Sequence, residues 1–201
     1  MILRWLIVLS LPLLLAACGG PAEPVWAPDS VVKQARYAHA GPPRVTLFTV
    51  ISTRNGSGGH SGLMVSGAER VMFDPAGSFK VPFVPERNDV LFGMTDRALA
   101  AYVDYHARPA WEVRVQELDV SPSQVAALLA AVKAYGAVPK AQCSLAISRI
   151  LSRVEGFEGV GVGYFPNALA GDFAALQGVR ESLVTDATAD TSHNVIFEPR
   201  P

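Results

Sequence analysis

Cys143, His60 and Asp74 have the types and order that suit one reaction, attack of a thiolate on a carbonyl carbon. A thiol is a useful nucleophile only as its anion, and a helix N-terminus and an imidazole each stabilise that anion. Cys143 opens an apolar stretch of helical spacing, His60 follows a glycine loop at a strand start, and Asp74 ends the next strand. A histidine in this role needs a further polar group to fix its ring and tautomer. Adjacent antiparallel strands can bring Asp74 on the second strand to His60 on the first. Each residue also has a plain structural reading. Free cysteine is among the most buried residue types, a histidine can be an ordinary strand residue, and Asp74-Pro75 is a common turn opening. The ordered combination carries the catalytic reading, and no single residue does.

The elements that must position these groups follow from periodicity and punctuation. Residues 44–53 are rich in Val, Ile, Thr and Phe and read as a strand. After the loop Arg54-Asn55-Gly56-Ser57-Gly58-Gly59, residues 60–66 and 70–74 read as two strands of a hairpin joined at Ser66-Gly67-Ala68-Glu69. Residues 75–89 contain Pro75, Pro82 and Pro85 and are expected to be irregular. Within them, residues 79–85 line a substrate groove or pack on the core. Residues 95–107 read as helix and 110–118 as strand. Ser121, Pro122 and Gln124 form a helix start with a capping box. Val125, Leu128, Leu129 and Val132 give that helix its apolar stripe, and Gly136 closes it. A second helix runs over residues 143–154, with Ile147, Ile150, Leu151 and Val154 on the face that Cys143 shares. A third follows Pro166. Strands and helices in this order predict an α+β fold, an antiparallel sheet packed against helices with the cysteine at a helix N-terminus.

The motifs Gly59-His60-Ser61-Gly62-Leu63-Met64-Val65, Val71-Met72-Phe73-Asp74 and Gln142-Cys143-Ser144-Leu145 resemble those of the circularly permuted NlpC-type papain-like cysteine hydrolases. This is the branch that includes lecithin–retinol-acyltransferase-like proteins, in which histidine precedes cysteine. The resemblance spans roughly residues 44–180. It implies a papain-like domain with Cys143 as nucleophile, His60 as base and Asp74 as the orienting residue. The chain departs from the pattern at Gln142, where many relatives carry asparagine. The family includes peptide hydrolases, acyltransferases and members without known activity, so the resemblance leaves the substrate open.

Residues 1–17 read as a lipoprotein signal peptide: one positive charge at Arg4, an apolar run over residues 5–15, then Leu15-Ala16-Ala17-Cys18. The run is too short for a spanning helix, which needs roughly 20 apolar residues. Cleavage before Cys18 and acylation of its sulfur would anchor the chain stably, since two or more acyl chains are enough. The expected location is the bacterial envelope, at the outer membrane facing the periplasm. Residues 18–43, with Pro21, Pro24, Pro28, Pro42 and Pro43, read as a tether interrupted by a short helix over residues 29–38. A single domain is expected over residues 44–198. With Cys18 lipidated, Cys143 is the one thiol left and no internal disulfide can form.

Net charge is −1 with neutral histidines, and one more negative once Arg4 leaves. That balance does not favour a nucleic-acid partner. His39, His106 and His193 form no spaced ligand pair, so neither a metal nor a cofactor is expected. Gly59-His60-Ser61-Gly62-Leu63 is not a nucleophile elbow, because the closing glycine and the following helix are missing. No P-loop lysine follows the glycines. The expected function is a lipid-anchored cysteine hydrolase or acyltransferase acting on an amide or ester, with cell-wall peptide or a lipid acyl group as substrate. The alternative is a catalytically silent envelope lipoprotein that binds a partner.

Overall fold

A computed structural model of the chain describes residues 20–186. Cys18, the signal segment 1–17, His193 and the end of the domain expected at residue 198 lie outside the described residues. The element order is α1 (Asp29–Ala35), β1 (Arg44–Ser52), β2 (Gly58–Ser66), β3 (Arg70–Phe73), β4 (Glu86–Arg87), β5 (Val90–Phe92), α2 (Asp96–His106), β6 (Trp111–Asp119), α3 (Pro122–Tyr135), α4 (Cys143–Leu151), α5 (Pro166–Ala174) and β7 (Arg180–Val184). The strands form one sheet in the order β4-β5-β3-β2-β1-β6-β7, with every neighbouring pair antiparallel. The fold is α+β. Among the described residues no helix is long and apolar enough to cross a membrane.

β1 is central because it can be covered on both faces: its residues after Arg44 are all buried. Val45 and Leu47 point to one side, where they meet Leu63 and Val65 of β2 and the stripes of α3 and α4. Leu128, Val132, Ile147 and Leu151 fill that layer without measurable exposure. Phe48 points to the other side and packs with Met64, Met72 and Met94 against Ala98, Ala101 and Tyr102 of α2. Tyr102 meets Phe48 and Phe79 edge-on, with ring centres at 5.6 and 5.3 Å. Two helical layers therefore sandwich the sheet, and burial of this alternating pattern supplies the main stabilising term.

The helix starts differ in their chemistry. Ser121 Oγ accepts from Gln124 N–H at 3.2 Å, and Gln124 Oε1 accepts from Ser121 N–H at 2.8 Å, the capping box expected from the sequence. Gln142, before α4, makes no side-chain cap. Three strands were not expected. β4 and β5 form a hairpin across Asn88-Asp89, both at positive φ (45° and 67°), the backbone that a two-residue I′ turn requires. β7 extends the sheet beyond β6. Residues 20–43 lie against the domain: Trp26 bridges Arg87, Ala27 N–H donates to Glu86 O at 3.0 Å, and Tyr37 O accepts from Arg70 N–H at 2.7 Å.

Candidate active site

β1 and β2 pair in register from Arg44↔Ser66 to Val50↔His60, and the register then shifts so that Ile51 meets Gly58. Gly59 is the extra residue of this bulge, immediately before His60. Bulges increase local twist and re-aim the next side chain. A side chain at 59 would meet the Trp111 ring at 2.6 Å, so the glycine lets the indole close over the strand start. β3 is shorter than β2 and pairs only with Leu63 to Ser66. The backbone around Ser61 is therefore open on its β3 side.

Asp74 is the first residue after β3. Its backbone N–H donates to Asp89 O at 2.8 Å, and its side chain is 3% exposed. His60 Nε2 lies 2.7 Å from Asp74 Oδ1, and Tyr102 Oη donates to the same oxygen at 2.7 Å. A side chain at Gly62 would collide with the Tyr102 hydroxyl, so this contact depends on the glycine. Tyr102 and His106 are one turn apart on α2. The His106 Nδ1 hydrogen donates to Tyr102 O at 2.8 Å, and its ring lies parallel to that of His60 at 5.6 Å and 8°.

Cys143 is the free cysteine of the described residues and is 7% exposed. The His60 ring and the Ser61 backbone N–H both act on its sulfur to favour the thiolate. With Nε2 taken by Asp74, Nδ1 is the ring nitrogen left for the thiol. Ser144 Oγ sits 3.9 Å from the sulfur and 3.0 Å from Ser61 Oγ, which ties α4 to β2 beneath the site.

The titration shifts follow from these contacts. Burial opposes the charged form of His60, but the Asp74 carboxylate, its hydrogen bond and Cys143 outweigh it, and the imidazole is pushed up to about 10. Burial also opposes the Cys143 thiolate, yet the His60 hydrogen bond and charge, with Ser61 N–H and Ser144, bring the thiol below its usual range. Burial opposes the Asp74 carboxylate too, but His60, with His106 and Tyr102 adding, outweighs it and holds Asp74 low. Burial, with the Asp74 charge and hydrogen bond adding to it, keeps Tyr102 protonated well above its ordinary range. His106 moves the other way. Burial lowers it, with His60 and Arg108 adding, against the pull of Asp74. The cluster thus favours a thiolate–imidazolium pair backed by a carboxylate, beside a neutral imidazole.

All three residues singled out from sequence are brought together here. Tyr102, His106, Gly62 and Ser144 were not foreseen. A signal existed for the first two, because residues four apart on an expected helix share a face. Phe79 (2% exposed) and Val84 (6%) are buried, so residues 79–85 pack on the core by these two side chains. Ligand-type atoms of His60, Asp74 and His106 lie within 4.8 Å of one another, a grouping the sequence spacing did not suggest. The shared Asp74 oxygen already accepts from His60 and Tyr102, and the His60–Asp74 contact has hydrogen-bond length. The arrangement favours proton relay over coordination. No family model, curated protein or solved structure matches this chain.

Proposed function

We propose that the protein is a cysteine hydrolase or acyltransferase of papain-like type, anchored to the bacterial envelope through lipid on Cys18. The observation that carries this reading is the continuous chain Cys143–His60–Asp74–Tyr102, in which thiol and imidazole shift in opposite directions. The Cys143 thiolate attacks the carbonyl carbon of an amide or ester and forms a thioester. His60 passes its proton to the departing nitrogen or oxygen as that bond breaks. Water, or a second acyl acceptor, gives a proton to His60 as it attacks the thioester, and the thiolate leaves. The first-turn N–H groups of α4 have no intrahelical partners and are oriented to favour an oxyanion. Cell-wall peptide is the substrate nearest to an envelope enzyme, and a lipid acyl group is the other.

Alkylation of Cys143 by iodoacetamide, followed against pH, tests this. Expected is a fast rate that persists well below the range where a free thiol reacts, with His60→Ala returning the profile to that of an ordinary thiol. An ordinary profile in the parent protein overturns the reading and leaves a silent binding protein. The anchor has its own test: labelled palmitate should enter the parent chain and be absent from Cys18→Ala.

A further inference from the structure

α1 is a helix of seven residues that buries none of them, and a helix so short is marginal by itself. Its place is fixed from both ends. Before it, Asn88 N–H donates to Val25 O at 2.9 Å and Arg87 Nε donates to Ala27 O at 2.8 Å. After it, Arg70 N–H donates to Tyr37 O at 2.7 Å. What α1 faces is a cavity of about 530 Å³, within the roughly 300–1,000 Å³ of pockets for organic ligands. Asp29, Val32, Lys33 and Arg36 line it, and their spacing puts them on one helical face. None of the active-site residues takes part.

The opposite wall carries Glu69, Arg87, Val90, Phe92 and Lys133. Arg87 is ion-paired with Asp29 and Lys133 with Glu69, so both carboxylates of the lining are engaged. Arg87 also lies over the Trp26 ring at 4.6 Å, and Lys133 over the Phe92 ring at 5.8 Å. The side chains of Lys33 and Arg36 have no hydrogen-bond or ion-pair partner among the described residues. Four cations against two carboxylates leave an excess of two positive charges, in a protein whose net charge is −1. Val32, Val90 and Phe92 form the apolar part of the lining, and Trp26 beside them is 66% exposed. Unpaired cations over an apolar floor suit an anionic amphiphile, and an exposed tryptophan suits the headgroup level of a bilayer.

We infer that this cavity takes the headgroup of an anionic phospholipid, with Lys33 and Arg36 on the phosphate and Trp26 against the start of the acyl chains. The bilayer as the source of that headgroup rests on the anchor reading above. Gly20 O accepts from Lys140 N–H at 3.3 Å, so the segment before α1 is docked from residue 20 onward. Cys18 stands two residues earlier, within about 7 Å of Gly20 along the chain. Lipid on Cys18 therefore brings the bilayer surface to the docked segment itself. That segment leads into α1, which walls the cationic cavity.

The test uses residues 18–201 with Cys18→Ala, which keeps every described element and carries no acyl chain of its own. The protein is sedimented with vesicles of phosphatidylcholine, with and without equimolar phosphatidylglycerol. The anionic vesicles should bind at least about tenfold more tightly. Lys33→Gln and Arg36→Gln should each weaken that binding about fivefold, and both side chains are partnerless, so the fold stays. Arg149→Gln, at an exposed cation outside the cavity, should leave it unmoved. Val32→Phe narrows the cavity without changing charge and should weaken binding too. With short-chain phosphatidylglycerol in solution, the Trp26 indole signal should shift in NMR spectra and that of Trp111, beside His60, should stay.

Equal affinity for the two vesicles, full binding after Lys33→Gln and Arg36→Gln together, or a shift at Trp111 in place of Trp26 would each overturn the site. Inorganic phosphate competing as well as the short-chain lipid would also overturn it, and would make the cavity a site for a soluble anion. Palmitate labelling of Cys18 is a separate measurement. An anionic-lipid preference beside an unlabelled Cys18 leaves the headgroup site standing and removes the anchor. Labelling without that preference does the reverse.

Discussion

α3 and α4, which pack on the same face of the sheet, begin in contrasting ways. α3 starts with every convenience: Ser121 and Gln124 satisfy each other's backbone N–H groups, Pro122 occupies the first turn, and Gln124 Nε2 also donates to Glu155 O at 2.7 Å. α4 starts with none of these. Gln142 provides no cap, and Ala141 holds a left-handed backbone at φ 63° without being glycine. Yet the first turn of α4 is the more deeply buried, and its contacts come from the sheet: Ser61 to Ser144, and His60 and Ser61 to the sulfur. A helix start whose N–H groups are closed by side chains is stabilised locally. One whose N–H groups stay open keeps its electrostatic potential for something else.

The sharpest way to break this contrast is to remove the carboxylate behind His60 and leave the start of α4 untouched. If the open helix start alone made the thiolate, Asp74→Asn would leave the alkylation profile where it is. We expect the opposite. An amide cannot hold an imidazolium, so burial acts on His60 with only Cys143 against it, and its proton affinity falls from the level near 10. The thiol then loses its charged partner. Iodoacetamide reactivity near pH 6 should drop by at least about tenfold, since a close opposite charge moves such groups by about 1–3 pH units.

The next effect is on stability against pH. His60 is raised from 6.5 to about 10, so between those values the native state keeps a proton that the unfolded chain has released. Stability from this group is complete below about 6.5 and is lost as pH rises toward 10. Cys143 is lowered, so its contribution is present above the ordinary thiol range and is lost as pH falls. From the two together, denaturant titrations should give a maximum between about pH 6.5 and 8.5. On its alkaline side the slope should reach at most about 1.4 kcal/mol per pH unit. His60→Ala should flatten that limb, and an unchanged limb would place the lost proton elsewhere.

The contrast also explains what could be read from the sequence. α3 was legible almost to the residue, because Ser121, Pro122, Gln124 and Gly136 carry their meaning within a few positions. β1 to β3 and α2 were legible through alternation and spacing. The positions of Cys143, His60 and Asp74 were legible as an order of residue types. What joins them was not. The Gly59 bulge, the early end of β3, the Tyr102 hydroxyl passing Gly62, and the His106 ring stacked beside His60 are relations between elements distant in sequence. β4 and β5 were lost among prolines because Asn88-Asp89 is a weaker hairpin signal than a pair ending in glycine. β7 alternates poorly, with Arg180, Glu181, Ser182 and Leu183 all exposed.

At the well-capped start, Ser121→Ala should cost about 1 kcal/mol of stability, the usual worth of an N-cap hydroxyl. The Cys143 alkylation profile should stay where it is, because α3 touches the site only through the common core. A shifted profile would show that the two helix starts are coupled.

The smallest effect is expected at Ala141, and it asks what holds the sulfur in place. A left-handed alanine costs about 1–2 kcal/mol relative to glycine in the same conformation, and glycine gives part of that back through the freedom it gains in the unfolded chain. Ala141→Gly should therefore stabilise the protein by up to about 1 kcal/mol. Thiolate reactivity should stay unchanged, since Ser61 and His60 act on the sulfur from the sheet side and Ser61 also holds the neighbouring Ser144. Denaturant midpoint and iodoacetamide rate, measured on the same variant, separate the two possibilities. Lost reactivity at unchanged stability would mean that the backbone strain at Ala141, and not the open edge of β2, aims Cys143 at His60.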